Sequence, residues 1–342
     1  MLALSFGTLA CRAQKEQEPQ EAKKAPVKDP VAAEIERLSA DTSLRMRDVR
    51  PILERAEEDL REGRRLLALQ RLVNARVALA TTERPLPAGQ PLEVLEKEWQ
   101  RAGTEMAADL GTPSPNALDG LEPAALRALA EAALPQVRIY YNASLDYGRN
   151  TTPDSGLQYL GAARSQREVV KASRALSTPS ERKEPPVRSL EPELDALQHD
   201  LLAAYRPPAS IERHREFIVA SSTLKEAREL DQAGLRYGAL LKYLQAAQLT
   251  GPLRHGSEQP ARLTGEALAA RLRELDGRLS AGDTDHSLGR LFLETAQAEL
   301  DKASLIAQDT LPRYLAALEP APPRSPRPEP QVTVTLVRWP YT

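Results

Sequence analysis

Two stretches of the chain decide its fold: residues 56–75, AEEDLREGRRLLALQRLVNA, and residues 227–246, ARELDQAGLRYGALLKYLQA. They align without a gap, 171 positions apart, and both read small residue, glycine, alanine, large apolar residue, alanine. A glycine allows the left-handed backbone of a tight turn, and alanines allow two helices to approach closely. The repeat predicts two helical hairpins. The matched pairs are Ala56 and Ala227, Gly63 and Gly234, Arg65 and Arg236, Ala68 and Ala239, Leu69 and Leu240, Leu72 and Tyr243, and Ala75 and Ala246.

This spacing resembles a tetratricopeptide hairpin, which has a small residue in its first helix, a turn glycine, and small, large and small positions on its second helix. The resemblance covers about 33 residues per copy. It implies an array of helical hairpins with an extended binding surface. The alternative is an irregular helical bundle, because an Ala/Leu-rich chain matches such spacing by chance. Residues Gly120, Ala125, Leu129 and Ala132 do so although Pro113 and Pro115 precede them.

The composition favours an all-α fold. Hydrophobic residues make up 41% of the chain and aromatic residues only 4%, so Leu, Ala and Val must fill the core. Lys and Arg number 46 against 48 Asp and Glu, which gives a net charge of −2. Without a basic excess, nucleic acid is not expected as a partner.

The 28 prolines mark the boundaries between units, because a proline inside a helix costs about 3 kcal/mol. We expect one proline, Pro135, to kink or break a helix. The predicted organisation is a signal-like apolar segment (1–10), a flexible tether (11–30), an N-terminal helical unit (31–110), a middle helical hairpin (111–176), a linker (177–189), a C-terminal helical unit (190–318), a Pro-rich spacer (319–330) and a lone β-strand tail (331–342).

The only cysteine, Cys11, follows the apolar run 1–10 and precedes a polar stretch rich in Lys, Glu, Gln and Pro. Leu9-Ala10-Cys11 resembles the lipobox of bacterial lipoproteins, with Thr8 where the lipobox usually has Leu. The resemblance implies lipidation of Cys11 and a location on the periplasmic side of a membrane. Arg12, in place of Asp, implies the outer membrane. An ordinary secretory signal and an incidental apolar N-terminus on a cytosolic protein are the alternatives.

The sequence contains no recognisable catalytic or metal-binding pattern. Each of the four histidines is isolated, and none has a second His or Cys at metal-ligand spacing. Gly-x-Ser-x-Gly and phosphate-binding Gly-Lys motifs do not occur. We interpret the acidic run Glu57-Glu58-Asp59 as a solvated helix surface. Catalytic residues, a metal and a cofactor are therefore not expected.

Tyrosines supply most of the aromatic area. Their large apolar face and hydroxyl suit both helix packing and a groove for a peptide or glycan, and both roles stay open. The candidates are Tyr140, Tyr141, Tyr147, Tyr159, Tyr237 and Tyr243.

The tail 331–342 alternates with period two, which predicts a β-strand. It either folds back onto the helices, docks as an added strand on a partner's sheet edge, or stays disordered. The candidate docking residues are Val332, Val334, Leu336, Trp339 and Tyr341.

Taken together, the sequence predicts a non-enzymatic envelope lipoprotein that acts as a helical scaffold for a protein or peptide and contacts the membrane through its lipid. The alternative is a helical envelope glycan-processing enzyme or enzyme subunit. Buried, convergent carboxylates in a Tyr-lined pocket would favour that alternative.

Overall fold

The computed structural model describes residues 29–41, 43, 46–82, 89–111, 114, 118–179, 181–205, 211–253 and 262–320. Helices dominate this part of the chain, which confirms the all-α class for it. The predicted C-terminal strand, Cys11 and the apolar segment before it lie outside the described residues. The helices are α1 (Pro30–Ser39), α2 (Arg50–Arg61), α3 (Arg65–Thr82), α4 (Leu92–Glu105), α5 (Ala124–Asn150), α6 (Pro153–Leu176), α7 (Glu191–Ala204), α8 (His214–Gln232), α9 (Arg236–Thr250), α10 (Gly265–Ser280), α11 (Ser287–Ala298), α12 (Leu300–Leu305) and α13 (Leu311–Leu318).

The two repeated stretches form hairpins with the same turn. In the first hairpin, α2–α3, Gly63 has φ +80°, and in the second, α8–α9, Gly234 has φ +78°. Only glycine adopts this backbone conformation readily. The conformation ends the helix, because the N–H groups that follow donate hydrogen bonds to carbonyls of the last turn. The same two backbone hydrogen bonds form at each turn. In the first hairpin, Arg64 N donates to Asp59 O (2.7 Å) and Gly63 N to Leu60 O (3.1 Å). In the second, Leu235 N donates to Leu230 O (3.0 Å) and Gly234 N to Asp231 O (3.1 Å).

The matched alanines are buried in both hairpins, together with the large residue between them. The contacts within each hairpin are extensive, α2 against α3 and α8 against α9. The small side chains therefore lie at close helix contacts, as the repeat predicts. The buried set is Ala56, Ala68, Leu72, Ala75, Ala227, Ala239, Tyr243 and Ala246.

Helix α5 lies between two apolar cores. One face contributes Ala124, Ala128 and Ala132 to a core with α7–α9 and α11–α13. Another face contributes Leu126, Ala130, Ala133 and Leu134 to a core with α1–α3 and α6. The α5–α9 crossing is close, because a Cβ atom on Gly238 would lie 2.8 Å from the backbone nitrogen of Ala132. Alanine and glycine at this crossing let α5 join the two halves of the chain.

Several helices begin in the interior, where their first N–H groups have no intrahelical acceptor. The residues before α5, α7 and α9 provide no side-chain cap. Acidic and hydroxyl side chains from distant elements accept these bonds instead. Asp285 and Ser287 accept from Ala124 N (2.7 Å) and Ala125 N (3.0 Å) at the start of α5. Asp231 accepts from Leu190 N (3.1 Å) at the start of α7.

The two hairpins are capped reciprocally. Glu294 of α11 accepts from Leu67 N (2.7 Å) and Leu66 N at the start of α3. Glu131 of α5 accepts from Gly238 N (2.9 Å) and Tyr237 N at the start of α9. These are corresponding positions of the two hairpins. Each glutamate is also the eighth residue of its helix and follows an arginine, Arg290 or Arg127, by four positions. Each half of the chain thus caps the hairpin of the other.

Pro135 does not break the helix that contains it. Helix α5, which was expected to kink or break there, continues through this residue. A proline removes one helical hydrogen bond, and packing on both faces compensates for that loss. The helical segment 287–318 is interrupted at Glu299 (φ −120°, ψ 83°), which separates α11 from α12. Within the described residues, the only β-pairing is an isolated parallel bridge between Lys183 and Thr284.

We expect Ala75→Leu and Ala246→Leu each to lower the free energy of unfolding by about 1 to 3 kcal/mol, because an added isobutyl group overpacks a close helix contact. Urea unfolding measures this. The matched control is Ala269→Leu on the exposed side of α10, where leucine has nearly the same helix propensity as alanine. Equal stability of all three variants and the wild type would contradict the close-contact assignment.

Candidate binding surface on the α5–α6 hairpin

Three of the six candidate tyrosines form one cluster on the surface of the α5–α6 hairpin. The rings of Tyr147 and Tyr159 stack, with centroids 4.5 Å apart and planes at 29°. The ring of Tyr140 lies 6.3 Å from that of Tyr159. Tyr147 is 46% exposed, and the neighbouring Ile139 is 41% exposed. We call the three tyrosines the tyrosine surface.

Local sequence explains why the hairpin presents these rings. Tyr140 and Tyr147 are seven residues apart on α5 and therefore share a helix face. Thr152 caps α6 by accepting from Ser155 N (3.2 Å), and Pro153 occupies the first turn. Below the surface, α5 and α6 touch at glycines: a Cβ atom on Gly148 would lie 3.2 Å from the Cα of Gly156. This contact fixes the separation at which Tyr159 meets Tyr147.

Two hydroxyls of the tyrosine surface, those of Tyr140 and Tyr159, have a raised pKa and stay protonated under physiological conditions. Burial raises the pKa of Tyr140, and the Glu226 carboxylate of α8 raises it further. The surface therefore offers neutral hydroxyl donors and aromatic faces. That chemistry suits the recognition of apolar and polar groups together, without a fixed charge at its centre.

The other three candidate tyrosines have internal partners. Tyr141 stacks on Trp99 with centroids 4.7 Å apart, and its hydroxyl donates to the Trp99 carbonyl (3.2 Å). Tyr243 accepts from an Arg313 guanidinium nitrogen (2.9 Å). Tyr237 donates to the Pro185 carbonyl (2.7 Å). All three are buried, so the six tyrosines do not line one groove.

The acidic run Glu57-Glu58-Asp59 is not uniformly solvated, contrary to the sequence interpretation. Asp59 is 2% exposed and accepts from Arg64 (2.8 Å) and Arg71. The arginines belong to the turn and to α3, so the pair forms only when the hairpin closes. A periodicity check would have found the inward position, because Asp59 follows the buried Ala56 by three residues.

Sequence reasoning missed the buried glutamates. Burial raises the pKa of Glu131, although Gly238 N and Arg127 lower it. Both carboxylate oxygens of Glu131 are occupied, one by Gly238 N and one by Arg127 Nε (2.8 Å). The available signal was the shared spacing of an arginine and a glutamate four residues later in α5 and α11. The bonds give both glutamates a capping role.

The consecutive residues Asp285, His286 and Ser287 do not form a catalytic triad. Asp285 and Ser287 accept from the start of α5, and His286 Nδ1 lies 3.2 Å from the buried Tyr314 hydroxyl. Burial lowers the pKa of His286. Among the described residues, no group of three or more His, Cys, Asp or Glu side chains could hold a metal ion.

Comparisons with known protein families, curated proteins and solved structures find no match to this chain. None of the helices in the described ranges is long and apolar enough to span a membrane. The candidate lipidation site and the candidate tail residues lie outside the described residues.

The pH dependence of stability tests the cap on α3. Burial raises the pKa of Glu294 to about 7, and Asp59 adds to this, whereas the N–H groups of Leu66 and Leu67 and the Arg290 guanidinium lower it. Because the folded pKa lies above the unfolded value, the protonated form favours the folded state. This stability is fully present below about pH 4.5 and is lost as the pH rises through 7.

Glu294→Gln keeps an amide oxygen for Leu67 N but cannot ionise. We expect its free energy of unfolding, relative to the wild type, to rise by about 1 to 3 kcal/mol between pH 5 and pH 8. Urea unfolding across this range measures it. The control, Glu54→Gln on the exposed side of α2, should follow the wild type. A constant difference between Glu294→Gln and the wild type would contradict the raised pKa.

Proposed function

We propose that this chain is a non-enzymatic scaffold of the bacterial envelope that binds a protein or peptide through the tyrosine surface. The observation that carries the proposal is the stacked, part-exposed cluster of Tyr140, Tyr147 and Tyr159. Tyrosine is among the residues that contribute most to binding, because its rigid ring loses little entropy and its hydroxyl makes a directed bond. The chain has nine tyrosines, and it places three of them together at the surface.

The support beneath this surface suits a binding role. Helix α6 packs on both α5 and α3, and α5 packs on α9, so the hairpin is fixed on several sides. A preorganised surface loses less entropy when a partner binds. We propose further that α2–α3 and α8–α9 are tetratricopeptide-like hairpins; their matched glycine turns and buried alanines support this assignment.

The proposed location follows from Cys11. Lipidation there would place the helical part on the periplasmic side of a membrane, and Arg12 favours the outer membrane. The resemblance to a lipobox supports this. The tail 331–342 is proposed as a second contact that adds a strand to a partner's sheet, with the Pro-rich segment 319–330 as its spacer.

A glycan-processing enzyme is the second candidate. One observation favours it: buried Glu131 accepts from Tyr237 N, and Tyr237 lines a pocket. However, Arg127 and Gly238 N occupy both oxygens of this carboxylate. A general acid or base needs an oxygen within reach of the substrate proton, so this geometry supports the scaffold more strongly.

Photo-crosslinking tests the tyrosine surface. With p-benzoylphenylalanine in place of Tyr147, we expect irradiation of the native host to give a discrete adduct. Tyr140→Ala or Tyr159→Ala, each made separately in this chain, should lower its yield about tenfold, since a surface tyrosine of this kind contributes about 1 to 2 kcal/mol. The matched control places the photo-crosslinker at Leu300, which is 73% exposed on α12. Adducts of equal yield at both positions, or no adduct at position 147, would refute the assignment.

Fractionation tests the proposed anchor. In a Gram-negative host, Cys11→Ser should move the protein from the detergent-requiring membrane fraction to the soluble fraction, because each buried acyl methylene contributes about 0.8 kcal/mol. Immunoblotting of the fractions measures the change. A chain with Ser5→Ala serves as the control and should stay with the membrane. If Cys11→Ser stays there too, the lipid anchor is excluded.

A further inference from the structure

A pocket of about 370 Å³ lies where the turn of the second hairpin meets α5. The turn at residues 118–120 and the extended segment 184–187 complete its walls. Its volume is within the range of small-ligand sites. The residues that define its chemistry are Asp119, Arg127, Glu184, Pro185, Arg236 and Tyr237. We call it the Glu184 pocket.

The two arginines of the pocket are already paired. Arg127 donates to Glu131 (2.8 Å), Glu184 (2.8 Å) and Asp119 (2.7 Å), one bond from each guanidinium nitrogen. Its guanidinium also lies 4.8 Å above the Tyr237 ring. Arg236 is held by Asp231. All three guanidinium nitrogens of Arg127 are therefore occupied, and one nitrogen of Arg236 is paired.

The carboxylates of the pocket, in contrast, have spare acceptor capacity. Glu184 bonds Arg127 through one oxygen, whereas its Oε1 is shielded from water and has no hydrogen-bond partner. Among the described residues it is the only carboxylate with such an atom. The Asp119 side chain is 53% exposed beside it. A buried acceptor without a partner is costly, and a donor that reaches it recovers that cost.

The ion pairs that surround the pocket also favour a cationic ligand. The two guanidinium groups face four carboxylates, those of Asp119, Glu131, Glu184 and Asp231. Carboxylates therefore exceed guanidinium groups by two in this ion-pair network, in which Glu131 and Asp231 pair with the arginines but do not line the pocket. Pro185 and the edge of Tyr237 provide apolar walls that suit the methylene stem of a basic group.

A second polar pocket, of about 540 Å³, lies at the turn of the first hairpin and provides an internal comparison. Three of its four carboxylates are paired: Asp59 with Arg64 and Arg71, Glu62 with Arg64, and Glu299 with Lys302; the fourth, Glu58, is exposed. It contains no carboxylate oxygen that is buried without a partner. Both hairpins have the same kind of glycine turn, but only the pocket at the second turn contains a buried carboxylate oxygen without a hydrogen-bond partner, Glu184 Oε1.

We propose that the Glu184 pocket binds a cationic nitrogen group, a guanidinium or an ammonium, with Glu184 and Asp119 as its acceptors. The group belongs either to a free small cation or to a basic side chain of a protein. This proposal goes beyond the tyrosine surface and does not depend on it, because the two sites share no residue.

The test uses the full chain and three probes: methylguanidinium, n-butylammonium, and a capped five-residue peptide with one central arginine among glycines. Each is titrated by calorimetry, and amide shifts of Gly120 and Tyr237 report the position. We expect saturable binding that weakens with added salt. Equal affinity for methylguanidinium and the peptide indicates a free cation as ligand, and a clear preference for the peptide indicates a basic side chain.

The decisive variant is Glu184→Gln, which keeps an oxygen for Arg127 but removes the charge. We expect it to weaken binding of the best probe at least tenfold while the melting temperature stays close to that of the wild type. Glu62→Gln, at the other pocket, is the matched control and should bind as the wild type does. Asp119→Asn removes the charge of the second proposed acceptor and leaves Glu184 unchanged, and it should also weaken binding.

Three outcomes would overturn the proposal. The first is that no probe shifts the Gly120 and Tyr237 amides up to millimolar concentration. The second is equal binding by the wild type and both pocket variants. The third is that inorganic phosphate shifts the same amides and the cations do not, which would show that the arginines control the site.

Discussion

The structure depends on satisfying helix N-termini that begin inside the protein. A buried N–H group without an acceptor costs as much as a lost hydrogen bond, and an anionic acceptor there also meets the positive end of the helix dipole. Helices α3, α5, α7 and α9 all begin at such places, and a carboxylate from a distant element reaches each start. These bonds determine which helices can neighbour one another, because a wrong neighbour would leave both the N–H groups and the carboxylate unpaired.

The main consequence is that each half of the chain caps a helical hairpin of the other half. Glu131 and Glu294 occupy the same place in their helices and cap the same place in the two hairpins, each in the half of the chain to which it does not belong. A two-fold relation between the halves would produce this pattern. The halves have nevertheless diverged around it. Asp59, buried at the first turn, corresponds to Leu230 at the second, and the carboxylate with a spare oxygen lies only at the second.

The position of the tyrosine surface follows from the same architecture. Helix α5 is buried on both sides along its first half by the two cores, whereas its second half carries exposed Tyr147 and part-buried Tyr140. The glycine contact between α5 and α6 brings Tyr159 against them. Neighbouring residues can therefore differ in role: Tyr141 is buried and stacks on Trp99, and Tyr140, one position earlier, is part-buried and lies 6.3 Å from the Tyr159 ring. The scaffold proposal depends on this division between a fixed base and an exposed face.

The sequence by itself determined the all-α class and the two hairpins, because helical spacing, the turn glycines and the alanines act over a few residues. It also placed Tyr140 and Tyr147 on one face. Only the tertiary structure decided that Tyr141, Tyr237 and Tyr243 are internal, that Pro135 lies within a continuous helix, and that Asp59 is buried. It alone paired Glu131 with α9 and Glu294 with α3, across 107 and 227 residues. Local spacing carries no information about such partners, because a carboxylate becomes a cap only where packing brings a helix start to it.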